Sequence, residues 1–373
     1  ISSFDMRFHA DVSVLRKQYG APAGQTARRG SIERETPMSN YKKYLIKKVG
    51  WYLLTFVVVL MLNFFLPRMM EGNPVDVIVG KMAQGMSSTD SMTRIYESFM
   101  QEFNLDKPVW QQFLLFVQGL FRGDLGTSFS RYPRDVSSIL ASAIPWTLAL
   151  QIPAIIVGWI VGNLMGAFVA YQKGPLGKVI YPVSLFLNSV PYYAFAIIML
   201  YVLSFGLNLF PSGGGYDVSL MPAFNLQFIG SVIRHHTLPW LSIVLVMIGG
   251  QALGMRSMAI YELNADYVLY AKLMGLPDKK ITGYVFRNAM LPQISGLALS
   301  LGTMVSGSLI TEIVFNYPGI GYWLFTAIRQ LDYPLISGCT LVISITVLVA
   351  NFLLDVLYGL IDPRIKAAQV EEE

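Results

Sequence analysis

Apolar runs of roughly 20 residues recur about six times along this chain, and each is long enough to cross a bilayer as one helix. The runs are Val49–Leu66, Ile144–Ala170, Val179–Phe205, Leu238–Met258, Ile294–Val314 and Leu335–Ile361. Hydrocarbon offers backbone amides no hydrogen-bond partner, so such runs must satisfy themselves as helices. The expected fold class is therefore an all-α integral membrane protein. Composition agrees: 54% of the 373 residues are hydrophobic and 14% are charged. A mean hydropathy of +0.49 is too high for a soluble domain of that length.

Basic residues give the topology. Lys42, Lys43, Lys47 and Lys48 precede the first span, and Lys173 and Lys178 lie in the connection between the second and third. Arg256, Lys272, Lys279, Lys280 and Arg287 mark a polar stretch between the fourth and fifth, and Arg364 and Lys366 follow the sixth. The opposite short connections, 206–237 and 315–334, carry only Arg234 and Arg329. The positive-inside rule then places both termini and the polar stretch in the cytoplasm of a multi-pass protein of the cell (inner or plasma) membrane. The net charge of +5 is accounted for by these flanks, so a nucleic-acid partner is not expected. A single cysteine, Cys339, excludes an intrachain disulfide framework and a Cys-based zinc site.

The chain divides into five expected segments. Residues 1–37 lack apolar periodicity and a signal-type apolar core, and read as a disordered or adventitious extension. Residues 38–66 form a cytoplasmic flank and the first span, 67–143 an extracytoplasmic loop, 144–361 the core of spans two to six, and 362–373 a cytoplasmic tail. In the loop, Trp110, Phe113, Leu114, Val117 and Leu120 recur at helical spacing. Two partners fit that apolar face: the membrane interface or bundle, and a solute-binding protein.

The polar stretch 261–292 is the main functional candidate. Leu263, Tyr267, Tyr270, Ala271 and Met274 recur with a helical period, and Ile281, Val285 and Ala289 do so after the break Gly275-Leu276-Pro277. A glycine suits a left-handed helix cap, proline a helix start, and Asp278 the positive end of the second helix dipole. The sequence writes helix, sharp turn, helix.

Here the chain resembles the inner-membrane permease subunits of ATP-binding-cassette importers, within them the dipeptide and oligopeptide branch. The likeness rests on Asp266-Tyr267-Val268, Ala271 ahead of Gly275-Leu276, Arg287-Asn288-Ala289 and Leu291-Pro292. It extends to Gly123-Asp124-Leu125-Gly126 with Ser128, to Glu312-Ile313-Val314-Phe315 with Pro318-Gly319-Ile320-Gly321, and to Asp362-Pro363-Arg364. Leu269 stands where importers at large carry the glutamate that names their loop motif. The resemblance implies a type I permease fold with a cytoplasmic coupling-helix loop. It assigns Asp266, Tyr267, Ala271, Lys272, Gly275, Leu276, Arg287, Asn288 and Pro292 to ATPase coupling. It also implies a homologous second permease subunit, two ABC ATPase subunits and an extracytoplasmic solute-binding protein as partners, with membrane lipid around the spans.

Energy for import has to come from elsewhere. Gly174-Pro175-Leu176-Gly177-Lys178-Val179 has too few residues between its glycines for a phosphate-binding loop and no Ser or Thr after the lysine. Ile248-Gly249-Gly250-Gln251 lies within an apolar run and reads as small residues for close helix packing. No cofactor is expected on this chain; ATP and Mg would belong to partner subunits. The lysines of the polar stretch fit either an acidic docking rim or the topology signal alone.

Pro145, Pro153, Pro182 and Pro191 interrupt the second and third spans, where freed carbonyls can line a cavity. Asn188, Pro191, Tyr192 and Tyr193 are the candidate lining of a translocation path, with Glu312 as a further candidate at its exit. Gln151, Asn163 and Asn351 are expected to face protein or water, and Glu312 and Asp355 to reach the interfaces. His235-His236 has no companions at metal-ligand spacing and reads as interfacial, so no metal and no catalytic residue is expected. The readings weighed are a transport subunit that is not itself an enzyme, an ATP-independent carrier or channel, and a membrane-embedded enzyme. The carrier would show midplane charges or inverted repeats, and the enzyme a polar cluster at one depth.

Overall fold

The computed structural model describes residues 37–83, 89–171, 174–307 and 309–361. The expected extension, Lys173 and the tail with Asp362, Pro363, Arg364 and Lys366 lie outside them, save that Pro37 already belongs to the first helix. Contacts divide the chain between Ile46 and Lys47. The packing below concerns the unit from Lys47 onward.

The described residues form helices α1 Pro37–Arg68, α2 Pro74–Ala83, α3 Thr89–Glu102, α4 Val109–Phe121, α5 Val136–Tyr171, α6 Pro175–Ser189 and α7 Tyr192–Met199. After a π-helical stretch, Leu200–Gly206, come α8 Leu226–Leu263, α9 Asp266–Leu273, α10 Asp278–Gly307, α11 Leu309–Val314, α12 Ile320–Arg329 and α13 Tyr333–Ile361. Among them four helices are long and apolar enough to span: Ile46–Arg68, Val136–Tyr171, Leu226–Leu263 and Tyr333–Leu353. A fifth is the pair Pro175–Ser189 and Tyr192–Gly206, bent by 103°. The remaining expected span, Ile294–Val314, falls on α10 and α11. The chain is an all-α membrane protein of about six spans.

The expected boundaries shift in two places. α5 begins at Val136, so the last residues of the expected loop 67–143 already belong to the second span. The third span is two helices, because Pro191 forces Val190 out of the helical region, to φ −89° and ψ 124°. Pro145 and Pro153 lie inside a continuous α5, and Pro182 inside α6. Packed neighbours tolerate the lost amide bonds there.

α5 and α8 form the central pair. Gly158, Gly162 and Gly166 line one face of α5, and a methyl on Gly166 would lie 2.3 Å from the Ala252 carbonyl oxygen. Close backbone approach is what holds helices together where lipid supplies no hydrophobic drive. Gly249 repeats the device against α6, 2.8 Å from the Ser184 carbonyl oxygen by the same measure. Gln151 and Asn163 are buried within this packing, facing protein, and Asn351 is half-buried.

At the end of the bundle away from 261–292, α2, α3 and the following turn enclose Val75, Ile78, Phe99, Phe129 and Tyr333. Phe113 and Phe116 of α4 set their rings 5.1 and 5.4 Å from Phe64 of α1. The helix therefore packs on the bundle through Phe113 and Phe116, while Trp110 and Leu114 of the expected apolar face stay exposed.

Candidate functional site

α8 ends at the cap Asn264, whose N–H bonds the Tyr261 carbonyl at 3.2 Å, and the chain re-enters helix at Asp266. α9 closes on a complete Schellman motif. Gly275 N–H bonds the Lys272 carbonyl at 3.0 Å and Leu276 N–H bonds the Ala271 carbonyl at 3.1 Å. Gly275 sits at φ +73°, where a side chain adds strain. Pro277 then offers its carbonyl to Lys280 N–H at 2.9 Å to start α10.

The two helices share a small core of Val268, Ala271, Ile281 and Val285, ringed by Leu263, Tyr267, Leu276 and Tyr171. Tyr171, the last residue of α5, also donates to the Thr282 carbonyl at 3.2 Å. It borders a second cluster, Ala167, Met255, Ala259 and Ala289, which joins α10 to α5 and α8. Tyr171 thus links the core of the turn to the central helix pair. Glu262 ties the corner: Tyr267 donates to its carboxylate at 2.8 Å and Asn288 reaches it at 3.5 Å. Burial, and then the bond to Glu262, hold the Tyr267 hydroxyl above the ordinary tyrosine range.

Two of the five residues expected to share the apolar face of the first helix of the polar stretch lie on its outer side. Tyr270 and Met274 point out, 63% and 72% exposed, and Val268 takes the inner place. The helix has only eight residues, so the mean of its apolar period says little about which side the neighbours cover. Leu269, Tyr270, Leu273 and Met274 consequently form an uncovered apolar face beside exposed Lys272 and Gly275. Asp266, and Arg287, Asn288 and Pro292 of α10, are also exposed, while Ala271 is buried and Leu276 half-buried.

The other candidate cluster lies at the 103° bend between α6 and α7. Asn188, Pro191 and Tyr193 are exposed there and Tyr192 is half-buried, its ring 6.1 Å from that of Tyr193.

A model of the family described as "Binding-protein-dependent transport system inner membrane component" matches residues 162–367, which include the whole helix-turn-helix and the bend. The chain belongs to this family. The dipeptide transport system permease protein DppB of Lactococcus lactis subsp. cremoris is 30% identical over 87% of this chain and 99% of its own. The di/tripeptide transport system permease protein DppB of Pseudomonas aeruginosa is 30% identical over 87% and 98%. A putative peptide permease protein of Brucella ovis is 33% identical over 82% and 93%. As a family member the chain is a permease subunit of an ATP-binding-cassette importer, a multi-pass membrane protein that works with an ATPase and a substrate-binding protein.

Among the described residues the permease fully buries two carboxylates: Glu312, expected at an interface and at the exit of the path, and Asp332, not singled out in the sequence. Glu312 is fully enclosed, and one of its oxygens accepts the Gly321 N–H at 2.7 Å. It caps α12 from a distance, and so does not reach the expected interface. Thr147 of α5 accepts the neighbouring Ile320 N–H at 2.9 Å. Asp332, also fully enclosed, accepts from Ser128 Oγ at 2.5 Å and from Ser130 N–H and Oγ at 2.9 and 2.7 Å, and caps α13 through Leu335 N–H. The signal was available, since Asp before an apolar run reads as a helix cap. Asp355 of α13 joins α1, 3.0 Å from Lys48 Nζ and 2.8 Å from the Tyr52 hydroxyl. His235 lies 2.8 Å from the Ser231 carbonyl and His236 2.8 Å from the Tyr317 hydroxyl.

Proposed function

We propose that this permease lines half of the translocation path of a peptide importer and that α9 is the helix on which a separate ATPase subunit docks. One observation carries the docking role: the uncovered face Leu269, Tyr270, Leu273 and Met274, backed by a core continuous with the central helix pair. A partner that covers the outer face and moves would displace Tyr171 and α10 with it. Exposed Lys272, Lys279 and Lys280 suit an acidic rim on that partner.

Nucleotide and Mg belong to the ATPase in this reading. The 174–179 stretch, which lacks the spacing and the Ser or Thr of a phosphate-binding loop, opens helix α6, and 248–251 is helix interior. A homologous permease would complete the path, and the names of the relatives make di- and oligopeptides the leading solute class. The distribution of Lys and Arg puts α9 and both termini in the cytoplasm. Asn188, Pro191 and Tyr193 at the broken third span are the proposed lining, because irregular backbone within a membrane belongs at a cavity or protein contact.

The test is a cysteine at position 275 in a Cys339→Ser background, co-expressed with the neighbouring ATPase genes. A crosslink to the ATPase that changes with nucleotide is expected. A folded, inserted chain that gives no crosslink from 269, 273 or 275 would overturn the docking role.

A further inference from the structure

Arg68 ends the first span with an unusual set of partners. Its Nε donates to the Gln112 side chain at 3.1 Å and its Nη1 to the Phe64 carbonyl at 3.0 Å, and the guanidinium lies 3.6 Å from the Phe64 ring centroid. Both hydrogen-bond acceptors are neutral, and among the described residues no carboxylate pairs with it at ion-pair distance. Two bonds use part of the five-donor fork and leave Nη2 to point elsewhere.

The place to point is a cavity of about 220 Å3 between the end of α1, α4 and the start of α13. Arg68 and Asp124 are the charged groups lining it, and Phe103, Leu115, Phe116 and Leu125 supply apolar wall. Asp124 spends one oxygen on the Gly126 N–H at 2.8 Å, which fixes the turn and leaves the other oxygen to a ligand. A site holding one cation, one anion and apolar wall is complementary to a zwitterion. Its position selects which: the guanidinium marks the end of an apolar span, with Met61 and Phe65, two turns and one turn before it on the same side of α1, exposed to whatever surrounds the helix. Trp110 and Phe121 of α4, the helix that forms one wall of the cavity, stand exposed, and such aromatic side chains suit a membrane interface.

We propose that this cavity binds a phosphoethanolamine headgroup, its phosphate on Arg68 and its primary ammonium on Asp124. Guanidinium and phosphate form charge-assisted bonds in paired geometry. The ammonium must donate a hydrogen, which the trimethylammonium of phosphocholine lacks, and phosphoglycerol has no cation for Asp124. Acyl chains of a bound lipid would run along the exposed apolar face of α1.

The full chain in detergent, mixed with equal amounts of dioleoyl phosphatidylethanolamine, phosphatidylcholine and phosphatidylglycerol, is read by native mass spectrometry. Phosphatidylethanolamine should be retained about tenfold over the other two. Asp124→Asn keeps the acceptor for Gly126 and should bring phosphatidylethanolamine down to phosphatidylcholine; Arg68→Gln should remove retention of both. If Arg68→Gln does not fold, Asp124→Asn alone decides. Glycerophosphoethanolamine separates the sources: competition assigns the site to the free headgroup, and its failure against retained lipid assigns it to the membrane. Equal retention of all three lipids, indifference to Asp124→Asn, or displacement by a zwitterionic dipeptide but not by glycerophosphoethanolamine would overturn the proposal.

Discussion

The Glu312 carboxylate and the Gly321 amide are joined at 2.7 Å inside the protein, so that a side chain from one helix caps the start of another. Gly319 makes room for it: a methyl there would stand 2.4 Å from the Glu312 carboxyl carbon. The spacing of glutamate and glycines in Glu312 to Gly321 thus has one physical cause. Gly319→Ala should cost about 1–3 kcal/mol through overpacking. Combined with Glu312→Ala the two changes should be far from additive, because the clash disappears with the carboxylate. Thermal denaturation of the purified chain and its single and double variants checks both statements.

Asp332 fastens the first long loop to the last span through Ser128 and Ser130. Asp332→Ala strands a buried hydroxyl and an amide and removes the cap of α13, at a cost of about 3 kcal/mol. The loss should be local. Limited proteolysis should cut within 70–135 at least several times faster in the variant while α5 and α8 stay protected; equal loop protection would show that the aromatic cluster around Phe99 and Phe129 suffices.

Lys48 and Tyr52 converge on Asp355 where the first and last spans meet. The Lys48 and Asp355 side chains are 35% and 24% exposed, so water screens the pair. Asp355→Asn should therefore change stability by about 1 kcal/mol or less. A loss several times larger on denaturation would mean that the pair is shielded in the membrane.

Helix existence and the polar turn were legible because a 3.6-residue period and an apolar run of bilayer length have one physical reading each. Gly275 announced the left-handed cap that the Schellman bonds now show. What failed was anything set by a neighbour. The orientation of Tyr270 and Met274 depends on which side of a short helix α10 covers, and Glu312 becomes a cap only because Gly319, distant by a turn of loop, lies beside it. Four prolines look alike in sequence, yet of these only Pro191 ends a helix, leaving Val190 extended, while Pro145 and Pro153 stay inside α5 and Pro182 inside α6.

Gly275 separates a backbone requirement from a surface requirement. Its φ of +73° penalises most side chains, while the space where a Cβ would stand has no atom within 4 Å. Asparagine tolerates the left-handed conformation, so Gly275→Asn should insert, fold and assemble nearly as the parent does. Gly275→Ala meets only the strain, about 1 kcal/mol, and should lower melting without blocking a partner. Gly275→Trp meets the strain too, and in addition places a bulky ring beside the uncovered face of Leu273 and Met274. If that face receives the ATPase, co-purification of the ATPase should fall at least tenfold in the tryptophan variant and stay within about twofold in the other two. A parallel fall in all three would trace the effect to the Schellman turn, and no fall in any would move the docking surface away from α9.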